Sequence, residues 1–405
     1  MIFMENTFML AQSSDFLGTF VWIFAIILLS FLYPRIMLQQ ILIKLDQIYR
    51  EIENMTIAAK RHIIRKINSK ISKEIKESIN NFMEFFAIEP VSLDPFGIIK
   101  KIEFISDLSE KKFKYFVKQI APKLDEESKA NLMMGLAGAI ALNQLGKILR
   151  HFTELIRKTK SLQLAMVLQM QIPFIERLAK AFSKGTEALI NGWCIGDSIG
   201  PLIAAELIGN SKVKRTEYET VICRKKIRGK DVIIVKAMGP GGRVGKLGKT
   251  VERIVKREKI AKIITIDAAA KLEGERTGSV AEGVGVAIGG IGVDKSYIEN
   301  LAVEHDIPLD SIIIKMSQEE AIMPMKQEVL NSVGKVISLV EKNIDETQGK
   351  GKIIIVGVGN SSGVGDSGKE AEKAKNNIKK VLAILKKRGD LEEKQKGGIS
   401  GWFGI

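Results

Sequence analysis

Two aspartates in this chain have the surroundings for acid–base chemistry. One lies in Ile195-Gly196-Asp197-Ser198-Ile199-Gly200-Pro201 and the other in Ile264-Thr265-Ile266-Asp267-Ala268-Ala269-Ala270. Each stands beside an expected element end, in a region of alternating strand, glycine and helix patterns. If the fold brings them together, they can share one proton, the acid holding it and the ionised partner activating water. If it does not, Asp197 caps a helix and Asp267 ends a strand.

Other chemistries find less support. The three histidines, His62, His151 and His305, are far apart, and the two cysteines, Cys194 and Cys223, form no C-x-x-C pair. Neither set has metal-ligand spacing, so no metal and no disulfide framework is expected. No cofactor is expected either. Gly248-Lys249-Thr250 ends like a phosphate loop, but Arg243 stands where the first glycine belongs. Gly363 to Gly368-Lys369 has the spacing but continues with Glu370, and Gly357-x-Gly359 has Ser362 at its third glycine position. These read as turns, with Gly245, Gly248, Lys249 and Thr250 left as an anion-loop candidate at a helix start.

The acids need a sheet to carry them. Val232–Lys236 is a β-branched run, the glycine loop from Gly239 follows, and a helical pattern runs through Val251, Ile254 and Val255. The next strand, Ile263–Ile266, leads into Asp267, and further β-like runs appear at Ile312–Ile314 and Ile353–Val356. This order predicts βαβ units and an α/β domain with a mostly parallel sheet. Such sheets place their sites at the carboxyl ends of strands, where Asp267 and the loops from Gly239 and Gly357 fall.

Upstream the pattern is helical. Only Gly18, Gly97, Gly135, Gly138 and Gly146 of the 36 glycines precede Lys184, which marks the expected domain boundary. Phe16–Tyr33 is eighteen residues without a charge, long enough to cross a bilayer core. No Lys or Arg precedes Arg35 and many follow, so the N-terminus is expected outside and the bulk in the cytoplasm, on an uncleaved single-pass anchor. Ile41, Leu45, Ile48, Ile52 and Met55 then step like a coiled-coil seam. That stripe suits either packing on the same chain or self-association of a stalk. Seven basic residues against Glu74 between Lys60 and Lys76 suit anionic lipid headgroups. The absence of interleaved aromatics argues against nucleic acid, although the net charge of +15 fits either partner.

Pro90 and Pro95 are expected to end this helix. Leu132–Leu142 is apolar but short, which suits a soluble core, and Leu162–Phe174 reads as buried or interfacial. The expected organisation is a tail at 1–15, a membrane helix at 16–33, a helical stalk at 34–88 and a helical region at 89–184. An α/β domain at 185–385 and a flexible basic, glycine-rich tail at 386–405 complete it. The abundance of Lys, Ile and Glu resembles thermophile usage.

Asp197-Ser198-Ile199-Gly200-Pro201 matches the D-x-[LI]-G-P turn of the spore germination proteases, and Ile266-Asp267-Ala268-Ala269-Ala270 is similar to their I-D-A-L-A segment. Leu272-Glu273, Gly289-Gly290-Ile291-Gly292-Val293 and the strand after Ile307-Pro308 resemble later family motifs. The resemblance covers roughly 186–325 and extends more distantly to the hydrogenase maturation proteases. It implies an aspartic-type endopeptidase acting through Asp197 and Asp267 on a peptide or protein, without metal. The family's G-x-G-N strand is replaced by Asn191-Gly192-Trp193-Cys194 here. A G-x-G-N occurs instead at Gly357-Val358-Gly359-Asn360, followed by Asp366, which makes Asp366 an alternative site acid. Over its whole length the chain is similar to an archaeal membrane-protein family, domain of unknown function 1512, through the Tyr33-Pro34-Arg35-Ile36-Met37 boundary. Two other functions stay open: a catalytically inactive membrane-tethered scaffold, and a binder of nucleotide or nucleic acid.

Overall fold

The computed structural model describes residues 2–67, 72–87, 97–285 and 293–400, and the side chains of 20–67, 72–87, 97–285 and 293–389. Pro90, Pro95 and the Gly289–Gly292 motif lie outside the described residues. The chain divides into two compact units, Met1–Met55 with Asn143–Ala179, and Thr56–Leu142 with Lys180–Ile405.

The first unit is helical. Helix α1 (Ile2–Ile67) carries the apolar stretch and continues through Pro34, so the expected tail, the apolar stretch and the first part of the expected stalk, up to residue 67, lie on one helix. Phe20, Trp22, Phe24, Leu29, Phe31 and Tyr33 are all exposed. An eighteen-residue stretch of α1 reaches mean hydropathy 2.1 with none of it buried, which is apolar enough to span a membrane. Helix α2 (Lys73–Phe82) and α3 (Ile98–Ile120) belong to the second unit. Helices α4 (Glu126–Thr159) and α5 (Leu162–Ile190) each contribute to both units. The stripe Ile41, Leu45, Ile48 and Ile52 is buried within the chain. Its neighbours on α1 meet α4: Asp46 pairs with Arg157 at 2.9 Å, and the Arg150 guanidinium lies 5.7 Å from the centre of the Tyr49 ring. Of the two readings of this stripe, the packing against α4 is the one seen within the unit.

The second unit is built on a seven-stranded sheet. After α6 (Ile199–Ile208) come β1 (Val213–Arg215), β2 (Thr220–Ile227) and β3 (Lys230–Ala237). Then follow α7 (Leu247–Val255), β4 (Ile260–Ala270), β5 (Val280–Val284), α8 (Val293–Glu304) and β6 (Leu309–Met316). Helices α9 (Gln318–Ile322), α10 (Gln327–Asn331) and α11 (Val333–Glu346) precede β7 (Lys352–Gly357) and α12 (Gly368–Ser400), which includes most of the stretch read as a tail. The strand order is β1-β2-β3-β7-β4-β6-β5.

Strands β3, β7, β4 and β6 are parallel neighbours, while β1, β2 and β5 add antiparallel margins. The sheet is therefore mixed, not mostly parallel. One cause is local: Arg228-Gly229 joins β2 to β3 with φ of 52° and 77°, the two positive values of a tight hairpin turn. The expected β3–α7–β4 crossover exists, but β7 lies between its two strands.

Alternation of apolar residues buries both faces of the central strands. Ile234, Ile264, Ile266 and Ile355 pack with residues of α6, α11 and α12 on one side. Ile233, Val235, Ile263 and Ile354 pack with residues of α7 and α8 on the other. Leu132, Leu136, Ala139 and Leu142 are buried in the same unit, as the short apolar run of α4 predicts.

Candidate functional site

Asp197 sits in a 3-10 turn, Gly196–Ser198, that feeds directly into α6. Two glycines let this turn press against the sheet. A Cβ on Gly200 would lie 2.1 Å from the Val358 carbonyl oxygen and 2.7 Å from that of Ile266. Gly359 has φ of +127°, and a Cβ there would lie 2.0 Å from the Asp197 carbonyl oxygen. Only glycine permits both the conformation and the approach. The turn is thereby seated at the carboxyl ends of β7 and β4.

The next residue after Gly359 completes the seat. The Asn360 backbone N–H donates to Asp197 Oδ2 at 2.8 Å, and its side-chain Oδ1 accepts from Ser362 N–H at 2.9 Å. Ser198 Oγ accepts from Ile195 N–H at 3.2 Å and donates to the Ser362 carbonyl at 3.3 Å. The G-x-G-N segment after β7 therefore holds the first acid.

Asp267 lies inside β4, opposite Ile313 of β6 and three residues before the strand ends, rather than at the end itself. It is 3% exposed. Lys295, in the first turn of α8, places Nζ 2.5 Å from Asp267 Oδ2. That buried oxygen has no aligned hydrogen-bond donor among the described residues, so the Lys295 contact is an ion pair.

The second acid acts on the first. Burial and then the charge of Asp267 push the Asp197 carboxyl up to about 6, against the opposing pull of the Asn360 amide and Lys295. Burial also raises Asp267, and Lys295 opposes that rise. Two carboxylates and one ammonium leave an excess negative charge in a desolvated place, so a proton is readily held there. The sequence singled out both acids but gave no sign of Lys295, whose distance from them in the chain is bridged only by the β4–α8 packing.

Asp366 goes elsewhere. Its Oδ1 accepts from Lys236 Nζ at 2.7 Å and from Gly239 N–H at 2.9 Å, and Arg215 Nη2 lies 3.5 Å from Oδ2. Lys236 is fully buried, and its ammonium also donates to the Ala237 carbonyl at 2.8 Å. Burial pulls the Lys236 pKa down, while Asp366 opposes that shift. This pair joins the end of β3 to the loop before α12.

The anion-loop residues have internal partners. Gly248 N–H donates to Asp294 Oδ1 at 2.8 Å, Lys246 pairs with Asp107 at 2.7 Å, and Lys249 pairs with Glu103. Thr250 Oγ1 donates to the Lys246 carbonyl at 3.1 Å and lies 2.8 Å from Thr220 Oγ1, while Gly245 takes φ of +65° in the turn. Acids from α3 and α8 thus pair with Lys246, Lys249 and the Gly248 N–H. Among the described residues no cluster of His, Cys, Asp or Glu is arranged to hold a metal ion.

Comparison with known families places both halves of the chain together. Residues 19–192 match the N-terminal domain of a protein family of unknown function, DUF1512, and residues 195–365 match the C-terminal domain of the same family. No curated protein matches the chain. The two consecutive matches assign the chain to the DUF1512 family.

Proposed function

We propose that this member of the DUF1512 family is a membrane-anchored hydrolase of peptide bonds, with Asp197 and Asp267 as its acid–base pair. The observation that carries this reading is the 2.5 Å Lys295–Asp267 ion pair beside a second buried carboxyl, Asp197, whose pKa burial and the Asp267 charge raise. In the reaction, Asp267 takes a proton from water as the oxygen attacks the peptide carbonyl, and Asp197 gives its proton to the carbonyl oxygen. On collapse the C–N bond breaks, the leaving nitrogen takes the proton from Asp267, and the new carboxyl returns one to Asp197. The pair ends with the single proton it began with. Because Asp197 must be protonated to donate, cleavage should fall as pH rises through about 6. The resemblance to the spore germination proteases supports the same pair.

The anchor reading extends to orientation. The bilayer-length apolar stretch of α1, followed and not preceded by basic residues, supports a single pass in the cell membrane with the body in the cytoplasm. A reporter fused after Ile405 should score as cytoplasmic, and an extracytoplasmic score would reverse the orientation.

Full-length protein in detergent, given a peptide library, tests the chemistry. Asp197→Asn and Asp267→Asn should each abolish cleavage while the protein stays folded, and the double variant should be little worse, since the acids work as a unit. A second reading is a catalytically silent domain on a membrane tether. The 3% exposure of Asp267 favours it. Cleavage that is absent in the wild type would select that reading, and cleavage unchanged in both Asn variants would overturn the assignment of the acid pair.

A further inference from the structure

Lys295 makes the two acids inequivalent. Its side chain is 13% exposed and that of Asp267 is 4% exposed, with Nζ and Oδ2 2.5 Å apart. Asp197 instead receives a neutral amide, the Asn360 N–H, at 2.8 Å. The turn carrying Lys295 is fixed independently, because neighbouring Asp294 accepts the Gly248 N–H at the start of α7.

The other charges nearby are already engaged. On α8 they are Asp294 and Glu299, and the Lys249–Glu103 pair from α7 and α3 faces Asp294. Two acids that repel each other hold one proton between them, and the member nearer a cation is the one left ionised. The 2.5 Å ion pair on Asp267, against a neutral amide on Asp197, therefore selects Asp267.

We propose that Lys295 is the positioning residue of this pair, holding Asp267 as the carboxylate that accepts a proton and leaving Asp197 as the acid that donates one. This assignment rests on the paired-acid reading but makes a claim that is measurable without catalysis. The ion pair between Asp267 of β4 and Lys295 of α8 supplies it.

The test is a pH titration of the aspartate carboxyl carbons by NMR, on 13C-Asp-labelled full-length protein in detergent. Asp197→Asn and Asp267→Asn assign the two signals. In the wild type, Asp267 should ionise at lower pH than Asp197. In Lys295→Gln and Lys295→Met the order should reverse, and Lys295→Arg should preserve it. Peptide cleavage, measured in parallel, should fall at least about 100-fold in the two neutral variants and by less than about 10-fold in Lys295→Arg, the range expected when one acid–base group is misprotonated. If one neutral variant fails to fold, the other still reports the order. An unchanged order in a folded neutral variant would overturn the proposal even where cleavage is seen. A reversed order without wild-type cleavage would uphold the role of Lys295 and discard the hydrolase reading.

Discussion

The second unit contains two buried aspartate–lysine contacts, one at the end of β3 and one inside β4 with β7 between these strands, and they differ in how completely they are satisfied. Asp366 faces two cations, the buried Lys236 and the more exposed Arg215. Lys236, an N–H of Gly239 and Arg215 surround the carboxylate. At the other contact Lys295 pairs with Asp267, a second acid, Asp197, feels the charge of both, and Asp267 Oδ2 has no aligned hydrogen-bond donor among the described residues. A closed pair fixes loops. An open one keeps a group whose protonation is close to balance, which is the usual condition of reactive acids. The two are linked, because Ser361 Oγ, beside Asn360, bonds to the carbonyls of Met238 at 2.7 Å and Gly241 at 2.8 Å. The latch around Asp366 thereby steadies the segment that holds Asp197.

The largest expected effect comes from opening the closed pair. Asp366→Asn leaves Lys236 buried without its counter-charge, and should cost about 3–5 kcal/mol in equilibrium unfolding. Lys236→Met in the same background should recover most of that loss, because the stranded charge is gone. Recovery that fails would show that Asp366 matters through the Gly239 amide instead.

The open pair should respond in the opposite direction. The folded-state pKa of Asp197, about 6, lies above its ordinary 3.8. The proton it holds stabilises the fold fully below about pH 4, and that contribution is lost as pH rises through about 6. Asp197→Asn should therefore gain on the order of 2–3 kcal/mol at pH 7, from the linkage of roughly 1.4 kcal/mol per pKa unit, and nothing near pH 4. Melting curves at the two pH values check this, and an equal effect at both would remove the charge explanation.

The latch loop is also held from α4. Asn131 Oδ1 accepts the Gly242 N–H at 2.7 Å, and Glu127 accepts that of Gly241 at 2.7 Å. Asn131→Ala should cost about 1–2 kcal/mol, since it strands a buried amide. Denaturant titration measures it, and no loss would mean water replaces the side chain there.

The smallest effect belongs to the partly exposed Lys249–Glu103 pair. Lys249→Ala should change stability by less than about 1 kcal/mol. Micromolar ATP, GTP or NAD should leave the wild-type melting temperature unchanged, since bound ligand would raise it by mass action. A shift abolished in Lys249→Ala would return the loop to the list of sites.

Local patterns carried much of this. Strands β3, β4, β6 and β7 were legible because β-branched runs with glycine boundaries mark buried strands, and α7 because its apolar residues recur at helical spacing. The margins were harder. Arg228-Gly229 carries a hairpin signal, but polar Lys225 and Lys226 dilute the strand before it. The stripe on α1 was visible, yet its partner on α4 lies about a hundred residues away by chain count, and periodicity names a face without naming what covers it. Asp197 and Asp267 stood out by resemblance to a family. Asp366 drew notice for the same kind of reason and turned out to be bound to Lys236.

The sequence by itself determined the apolar stretch of α1, the change from helical to α/β character, and which acids stand near strand and helix ends. Each of these depends on residues close together in the chain, where sterics, periodicity and turn chemistry act. Tertiary structure decided which charges share a space. It set Lys295 against Asp267, Lys236 against Asp366, and acids from α3 and α8 against the loop before α7. Coulomb energy and desolvation depend on distances of a few ångströms through space, and those distances exist only once the sheet order β3-β7-β4-β6 has brought remote segments side by side.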